Sequence, residues 1–241
     1  MRDRTAIVYT WNPLVYNDTH GYTRMSIVIS SIHSKGGVGK TTVALSIADA
    51  LHKDGSSVLV LDTDPQGTAS EWTRAQEGKG PMVVGAPSAE KLEHELGRLG
   101  ASYDAVIIDG SAQLKGSTGS VIRISDLVLI PIQPSPADVW ATENIVDLIR
   151  DRQEAVGEPA AGFVLNCVVA GTNVAEDVNE ILDEFNLPVL GRLHRRVAFV
   201  EALVTGETPL TYKPSGKAAK EIKDLYNASL DALEAHYTAK A

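Results

Sequence analysis

A glycine-rich loop between Ser34 and Thr42 is the stretch of the sequence best suited to binding a phosphorylated ligand; it reads Ser-Lys-Gly-Gly-Val-Gly-Lys-Thr-Thr. It follows an apolar run and opens a helical pattern, which is the context that a phosphate-binding loop requires. Glycines allow backbone N–H groups to point at phosphate oxygens, and the helix N-terminus adds positive potential. In such a loop Lys40 would contact the β- and γ-phosphates, and the Thr41 hydroxyl would coordinate Mg²⁺.

The loop departs from the common pattern G-x-x-x-x-G-K-[ST] at its first position, where Ser34 stands in place of glycine. It carries an added lysine, Lys35, directly after that serine. A dinucleotide-binding fingerprint is disfavoured, because Gly37-Val38-Gly39 is not followed by a third glycine at the required position. The remaining alternative is a glycine-rich turn without a ligand, which the surrounding lysines and threonines disfavour.

Acidic residues stand where two further apolar runs end. Asp62 and Asp64 follow the run Ser57–Leu61, and Asp109 closes the run Tyr103–Ile108. The carboxyl ends of parallel strands form the edge of a sheet at which ligands bind, and Asp109 resembles a Walker B acid, which would face Mg²⁺ through a coordinated water. The alternative for each acid is structural, as a turn residue or a helix cap.

The elements that must position these residues alternate along the chain. Short apolar runs predict the strands Ser26–Ile32, Ser57–Leu61, Tyr103–Ile108, Leu127–Ile132, Phe163–Val169 and Leu187–Leu190. Helical patterns separate or follow them, at Thr41–His52, Ala86–Gly100, Pro136–Gln153, Val174–Phe185, Ala198–Val204 and Lys217–His236. Continuous apolar strands joined by helices indicate βαβ units and a buried parallel sheet. The predicted fold is therefore α/β, a three-layer, mostly parallel twisted sheet flanked by helices.

Length and composition limit the class of protein further. The chain has 241 residues, of which 44% are hydrophobic, and this suits one domain with a sizeable core. One cysteine, Cys167, excludes an intrachain disulfide framework and a zinc cage built on several cysteines. No apolar run is long enough to span a membrane, and no secretory signal opens the chain, so we expect a cytoplasmic protein. The net charge of −9 is not typical of a nucleic-acid binder, although a local basic patch remains compatible with it.

The motif from Lys35 to Thr42 resembles the deviant Walker A motif of the ParA/MinD family of P-loop ATPases, and the resemblance covers most of Ser26–Tyr237. It implies the P-loop NTPase fold with ATP and Mg²⁺ as cofactors. It also implies a homodimer in the ATP-bound state, in which Lys35 reaches across to the phosphates of the second copy. The nucleotide would be held by Gly36, Gly37, Val38, Gly39, Lys40, Thr41 and Thr42.

The same resemblance assigns roles outside the loop. Asp64 would orient or activate the attacking water, so that Lys35, Lys40 and Asp64 form the catalytic set. Asp62 would join Thr41 and Asp109 around Mg²⁺. The segment Gly110-Ser111-Ala112 would sense the γ-phosphate.

The adenine base is assigned to two further positions by the resemblance. Asn166 resembles an adenine-contacting asparagine, and Pro134 lies in a proline-rich loop that would line the base and the dimer interface. The alternative for Asn166 is a core amide bonded to backbone, because a buried Asn needs hydrogen-bond partners.

A local reversal of charge marks the C-terminal region. Between Arg192 and Lys223 seven basic residues face three acidic ones, a net charge of +4, whereas the rest of the chain carries −13. Members of the resembled family bind DNA without sequence preference through this region when ATP-bound. The candidates here are Arg195, Arg196, Lys217, Lys220 and Lys223. Two alternatives stay open: an ordinary solvated basic helix, and arginines that serve the nucleotide base.

The function implied is that of a ParA-type ATPase. It would segregate or position plasmid or chromosomal DNA, would be nucleoid-associated in the ATP state, and would be reset when a ParB-like centromere-binding protein or cargo adaptor stimulates hydrolysis. The main alternative is a related ATPase that positions a protein cargo, such as an organelle, a chemotaxis cluster or a conjugation complex. Membrane cycling of the MinD type is disfavoured, because residues 231–241 lack a basic amphipathic face and no membrane partner is expected. A non-catalytic nucleotide-dependent scaffold is disfavoured by the presence of Lys40, Thr41, Asp64 and Asp109.

We expect residues 25–241 to form the single P-loop ATPase domain. Residues 1–24 have no clear periodicity. They are predicted to be a poorly ordered extension, and the alternative is an arm that contacts a partner.

Overall fold

A computed structural model describes residues 16–17, 23–24, 26–86, 88–111, 118–171 and 174–239 of the chain. Its central sheet has seven strands, which are in chain order β1 (Ile27–Ser31), β2 (Val58–Asp62), β3 (Met82–Gly85), β4 (Ala105–Asp109), β5 (Leu127–Ile132), β6 (Ala160–Val168) and β7 (Val189–His194). All seven are parallel, and their spatial order is β3-β2-β4-β1-β5-β6-β7. The predicted parallel sheet is confirmed.

Helices connect the strands. They are α1 (Lys40–Lys53), α2 (Thr68–Ala75), α3 (Ala89–Leu99), α4 (Thr118–Ile124), α5 (Pro136–Trp140), α6 (Glu143–Val156), α7 (Val174–Asp183), α8 (Val197–Val204), α9 (Pro209–Tyr212) and α10 (Lys217–Thr238). Parallel strands cannot be joined by tight hairpins, so a helical crossover covers a face of the sheet at most steps.

Two hydrophobic clusters, one on each face of the sheet, produce the three layers. Ile27 and Ile29 of β1 pack into one cluster with α1, α2 and α10, whereas Val28 between them packs into the other with α3, α4 and α6. The alternation follows from the strand geometry, because successive side chains point to opposite faces. The three-layer α/β prediction is therefore confirmed.

Several elements differ from the sequence-based prediction. The strand β3 and the helices α2, α4 and α9 were not predicted. The predicted helix Pro136–Gln153 is two helices, α5 and α6, separated at Ala141 and Thr142. The predicted helix Ala86–Gly100 begins only at Ala89, because the Ser88 hydroxyl caps it by accepting the Lys91 N–H.

The predicted N-terminal extension lies mostly outside the described residues. Within it, Tyr16–Asn17 and Thr23–Arg24 pair as two short antiparallel strands. The division of the chain at residue 25 stays a prediction. Among the helices that the structure describes, none has both the length and the apolar composition needed to cross a bilayer.

The long helix α10 gives a direct test of this packing. Replacing Ile222, which is fully buried against the sheet, by Ala should lower the free energy of unfolding by about 2–5 kcal/mol, because the fold cannot close the resulting cavity completely. The matched control is Lys220→Ala, two residues earlier on the exposed face, which should change it by less than about 0.5 kcal/mol. Urea denaturation measures both; equal effects would contradict the placement of α10.

Candidate functional site

The phosphate loop joins β1 to α1 and depends on glycine at two positions. Gly37 and Gly39 have φ values of 77° and 101°, in the left-handed region that L side chains rarely adopt. At Gly39 a Cβ would also overlap the side-chain amide of Asn166. Gly39 immediately precedes α1, so the N–H groups of the first helical turn open onto the loop.

Lys40, the first residue of α1, is buried under this loop. Its Nζ donates a hydrogen bond to the backbone carbonyl of Lys35 at 2.8 Å, and the Ser31 hydroxyl donates to the Lys40 carbonyl at 2.9 Å. Burial lowers the pKa of Lys40 below its ordinary value, although the charges of Asp109 and Asp64 oppose that shift. A desolvated ammonium group at the edge of the cleft is suited to binding an anionic ligand.

An open cleft of about 400 Å³ lies over the loop. The loop contributes Gly36, Gly37, Gly39, Lys40, Thr41 and Thr42 to its lining. The opposite side is lined by Asp64, Gln66, Thr68 and Ser111, which follow β2 and β4. Asp64 and the segment around Ser111 were expected here from the sequence, whereas Gln66 and Thr68 were not.

Asp109, at the end of β4, is almost completely buried. Its Oδ2 has no hydrogen-bond partner among the described residues. Burial raises the pKa of Asp109 to about 7, against the hydrogen bond from Thr41, which lowers it. A buried carboxylate with an unused oxygen beside a threonine hydroxyl is an arrangement that a divalent cation would stabilise.

Asp62 and Asp64 are held by the turn that follows β2. Asp62 Oδ1 accepts the Asp64 N–H at 3.0 Å, and its Oδ2 accepts the Ser70 N–H at 3.2 Å at the start of α2. Asp64 Oδ1 accepts the Gln66 N–H at 2.9 Å, which places the half-buried carboxylate at the cleft. Asp62 therefore acts as the turn residue that was the alternative to a metal ligand, and its role around Mg²⁺ stays a prediction.

These residues fit a magnesium ion bound together with phosphates. Within the described part of the chain, no three His, Cys, Asp or Glu side chains converge on one point as a complete metal site. Mg²⁺ commonly takes one or two protein ligands and completes its shell with water and substrate phosphates. Thr41 and the unused Oδ2 of Asp109 provide such a partial set.

The segment after β5 lies against the other side of the phosphate loop. Lys35 Nζ forms an ion pair with the buried carboxylate of Asp138 in α5. Ser34 Oγ donates to the Ala141 carbonyl at 3.1 Å, and Gln133 Nε2 donates to the Gly37 carbonyl at 2.9 Å. In this conformation the lysine predicted to act in trans is therefore bound to its own chain.

His33 supports the loop from beneath and was not identified from the sequence. Its Nδ1 accepts the Lys35 N–H at 2.8 Å, so this nitrogen carries no proton and the ring is neutral. Burial, followed by the charge of Lys40, lowers the pKa of His33 to about 4. His33 is only two residues from Lys35, but its spacing indicates no chemical role, whereas Asp138 is 103 residues away and is brought to Lys35 by the fold.

Asn166 lies directly below the loop. Its Nδ2 donates to the Val38 carbonyl at 2.8 Å, from a point in β6 where the pairing with β7 shifts and Cys167 adopts a φ of 55°. The Asn166 amide is thus hydrogen-bonded to backbone, which was the alternative to adenine binding, and its contact with adenine stays a prediction. Neither Asn166 nor the half-buried Pro134 lines the cleft, and their roles at the base stay predictions.

The basic candidates differ in their surroundings. Arg196 forms an ion pair with Glu221, with Nε 3.1 Å from Oε1, and so joins the end of β7 to α10. Arg195, in contrast, is exposed. Exposed lysines cover the start of α10, at Lys217, Lys220 and Lys223, although Asp224 is also exposed there.

The sequence of this chain is similar to those of known proteins. The family model described as the CobQ/CobB/MinD/ParA nucleotide binding domain matches residues 29–210. The chain is 27% identical over 200 residues to the maintenance of carboxysome distribution protein A of Halothiobacillus neapolitanus, covering 80% of this chain and 91% of that protein. It is 29% identical over 156 residues to the chromosome-partitioning ATPase Soj of Thermus thermophilus, covering 52% of this chain and 61% of Soj.

The fold is similar to a solved structure of the septum site-determining protein MinD in complex with Mg-ADP, from Pyrococcus horikoshii. The TM-score is 0.67 at 21% sequence identity, and the similarity covers 84% of this chain and 95% of MinD. At this level of identity the similarity establishes the shared fold.

The raised pKa of Asp109 predicts how the stability of the protein depends on pH. Because the pKa of Asp109 is raised from 3.8 to about 7, its contribution to stability is present at low pH and is lost as pH rises through about 7. Asp109→Asn has no carboxyl group to titrate at this position. Without Mg²⁺ and nucleotide, its free energy of unfolding relative to that of the wild type should therefore rise by up to about 4 kcal/mol between pH 4 and 7.

Comparing each variant with the wild type at the same pH removes the opposite contribution of His33. The lowered pKa of His33 gives stability that is complete above 6.5 and is lost as pH falls towards about 4. The control is Asp151→Asn, an exposed carboxylate of α6, which should show no such trend. A difference between Asp109→Asn and wild type that is constant with pH would contradict the assignment.

Proposed function

Because the chain belongs to the CobQ/CobB/MinD/ParA family of nucleotide-binding domains, we propose that it is a Mg²⁺-dependent ATPase of the ParA type that segregates or positions DNA. ATP would close a homodimer that binds DNA without sequence preference, and hydrolysis stimulated by a ParB-like protein or cargo adaptor would release it. The observation that carries the proposal is the meeting of Lys40, Thr41 and Asp64 at one cleft, with the buried Asp109 beside it.

The chemistry of phosphoryl transfer fits these positions. Lys40 would exchange its hydrogen bond with the Lys35 carbonyl for contacts with the β- and γ-phosphates. Asp64, on the opposite side of the cleft, would orient the attacking water. Mg²⁺, held from Thr41 and Asp109, would neutralise charge that develops on the phosphate oxygens.

Dimerisation would depend on the release of Lys35. About half of its side chain is exposed, and its ammonium group is paired with Asp138 of the same chain. To reach the phosphates of a second copy, it must leave that carboxylate. A γ-phosphate across the interface offers more charge than one carboxylate, so bound ATP would favour the dimer.

A DNA surface is supported by the start of α10. Lys217 and Lys220 are exposed at its N-terminal turn, where the helix dipole already contributes positive potential and no acid of that turn offsets it. Lys223 extends the group, whereas Arg196 is engaged by Glu221. Two copies of this surface in a dimer would contact more DNA phosphates than one, so DNA affinity would follow the nucleotide state.

A protein cargo is the second candidate. It is favoured by the similarity to the maintenance of carboxysome distribution protein A, which extends over 91% of that protein. Both candidates use the same nucleotide site and the same DNA surface, and they differ in the adaptor that stimulates hydrolysis.

Asp64 allows the hydrolytic step to be separated from binding. Asp64→Ala should bind ATP with Mg²⁺ at wild-type affinity, whereas phosphate release should fall by about 100-fold or more, because the water loses its orienting carboxylate. Light scattering after size-exclusion chromatography should then show dimers that persist in ATP. The control is Glu77→Ala on the surface; hydrolysis by Asp64→Ala at the wild-type rate would remove its catalytic role.

The DNA surface can be tested by reversing its charge. In the ATP state Lys217→Glu with Lys220→Glu should weaken binding to a random-sequence duplex and flatten its salt dependence by about one unit per lysine. The matched control is Lys79→Glu with Lys91→Glu, an equal charge change at exposed lysines outside α10. Fluorescence anisotropy measures both; equal losses in the two variants would show that net charge, and not this surface, governs binding.

A further inference from the structure

Thr63 stands between the two acids of the β2 turn and is fully buried. Its N–H donates to the Asp109 carbonyl at 3.1 Å, and its Oγ1 donates to the same carbonyl at 2.7 Å. The same Oγ1 accepts the Ser111 N–H at 2.8 Å. One small side chain thus connects the segment after β2 with the segment after β4 by both its donor and its acceptor capacity.

Both ends of this connection reach the cleft. Asp64 directly follows Thr63 along the chain, and Asp64 and Ser111 both line the cleft. On the far side, Gly110 donates its N–H to the Ser31 carbonyl of β1 at 3.0 Å. A Cβ on Gly110 would lie 2.8 Å from that oxygen and 2.6 Å from Ile32 Cγ2, so this turn has no room to move towards β1.

We propose that Thr63 is a positioning residue that fixes Asp64 and the Gly110–Ser111 turn relative to each other. This deepens the proposed ATPase function and rests on it. The Gly110–Ser111 segment is held against β1 on one side, and on the other side the Thr63 hydroxyl gives it a direct polar contact with the Asp64 segment. A change at Ser111 when the γ-phosphate leaves would then reach Asp64 through the hydrogen bond from the Ser111 N–H to Thr63 Oγ1 and the peptide bond between Thr63 and Asp64.

The hydroxyl and the methyl group of Thr63 can be tested separately. Thr63→Val keeps the volume and the branched shape but removes the acceptor that the Ser111 N–H uses and the donor to the Asp109 carbonyl. Thr63→Ser keeps the hydroxyl and removes the methyl group. A role in packing alone would make Thr63→Ser the more damaging change, whereas positioning through hydrogen bonds makes it the milder one.

The experiment compares both variants with the wild type in ATP hydrolysis and in amide hydrogen exchange. In Thr63→Val we expect kcat to fall by about tenfold or more while KM for ATP changes by less than about twofold. We expect Ser111 amide exchange to accelerate by about tenfold to a hundredfold without nucleotide. Thr63→Ser should retain kcat and Ser111 protection within about threefold of the wild type.

The outcomes separate this inference from the proposed function. Wild-type kcat and wild-type Ser111 exchange in Thr63→Val would overturn the inference, and so would equal losses in Thr63→Val and Thr63→Ser. A wild-type protein that does not hydrolyse ATP would instead refute the proposed function. The exchange measurement would then still decide whether the hydroxyl holds the turn.

Discussion

Parallel strands that are neighbours in a sheet must end at the same edge, and here this constraint brings together residues from distant parts of the chain. β2, β4 and β1 are adjacent, so the turns after them meet at one place. The phosphate loop follows β1, Asp64 follows β2, and Asp109 ends β4. None of the three segments forms a site by itself. The hydrogen bonds between the strands set the distances between these segments. The two flanking hydrophobic clusters shield these hydrogen bonds from water.

The same edge concentrates groups whose preferred charge states conflict with their burial. Burial lowers the pKa of Lys40, lowers that of His33 to about 4 and raises that of Asp109 to about 7. Each shift records a free-energy cost of keeping a polar group out of water. Such perturbed groups in a cleft are typical of functional sites, because a ligand of opposite charge offsets the free-energy cost of their burial. A triphosphate with Mg²⁺ supplies negative charge to pair with Lys40 and positive charge to pair with Asp109.

Consecutive residues were easier to predict than contacts between segments. The phosphate loop could be recognised because its glycines, Lys40 and Thr41 stand together, and the apolar strands marked where Asp64 and Asp109 belong. The ion pair between Lys35 and Asp138 could not, because 103 residues separate them and Asp138 has the appearance of an ordinary cap. β3 was missed since it is a short edge strand with partly exposed side chains, which blurs the apolar pattern. The helix break at Ala141 was missed because neither glycine nor proline stands at it to mark the end of a helix.

Calorimetric titration of the apo protein with ATP and Mg²⁺ tests the central claim most directly, with Lys40→Ala as the variant and Lys53→Ala, at the exposed end of α1, as its control. We expect the wild type and Lys53→Ala each to bind one ATP per chain, and Lys40→Ala to lose this binding. Absence of binding by the wild type, or undiminished binding by Lys40→Ala, would contradict it.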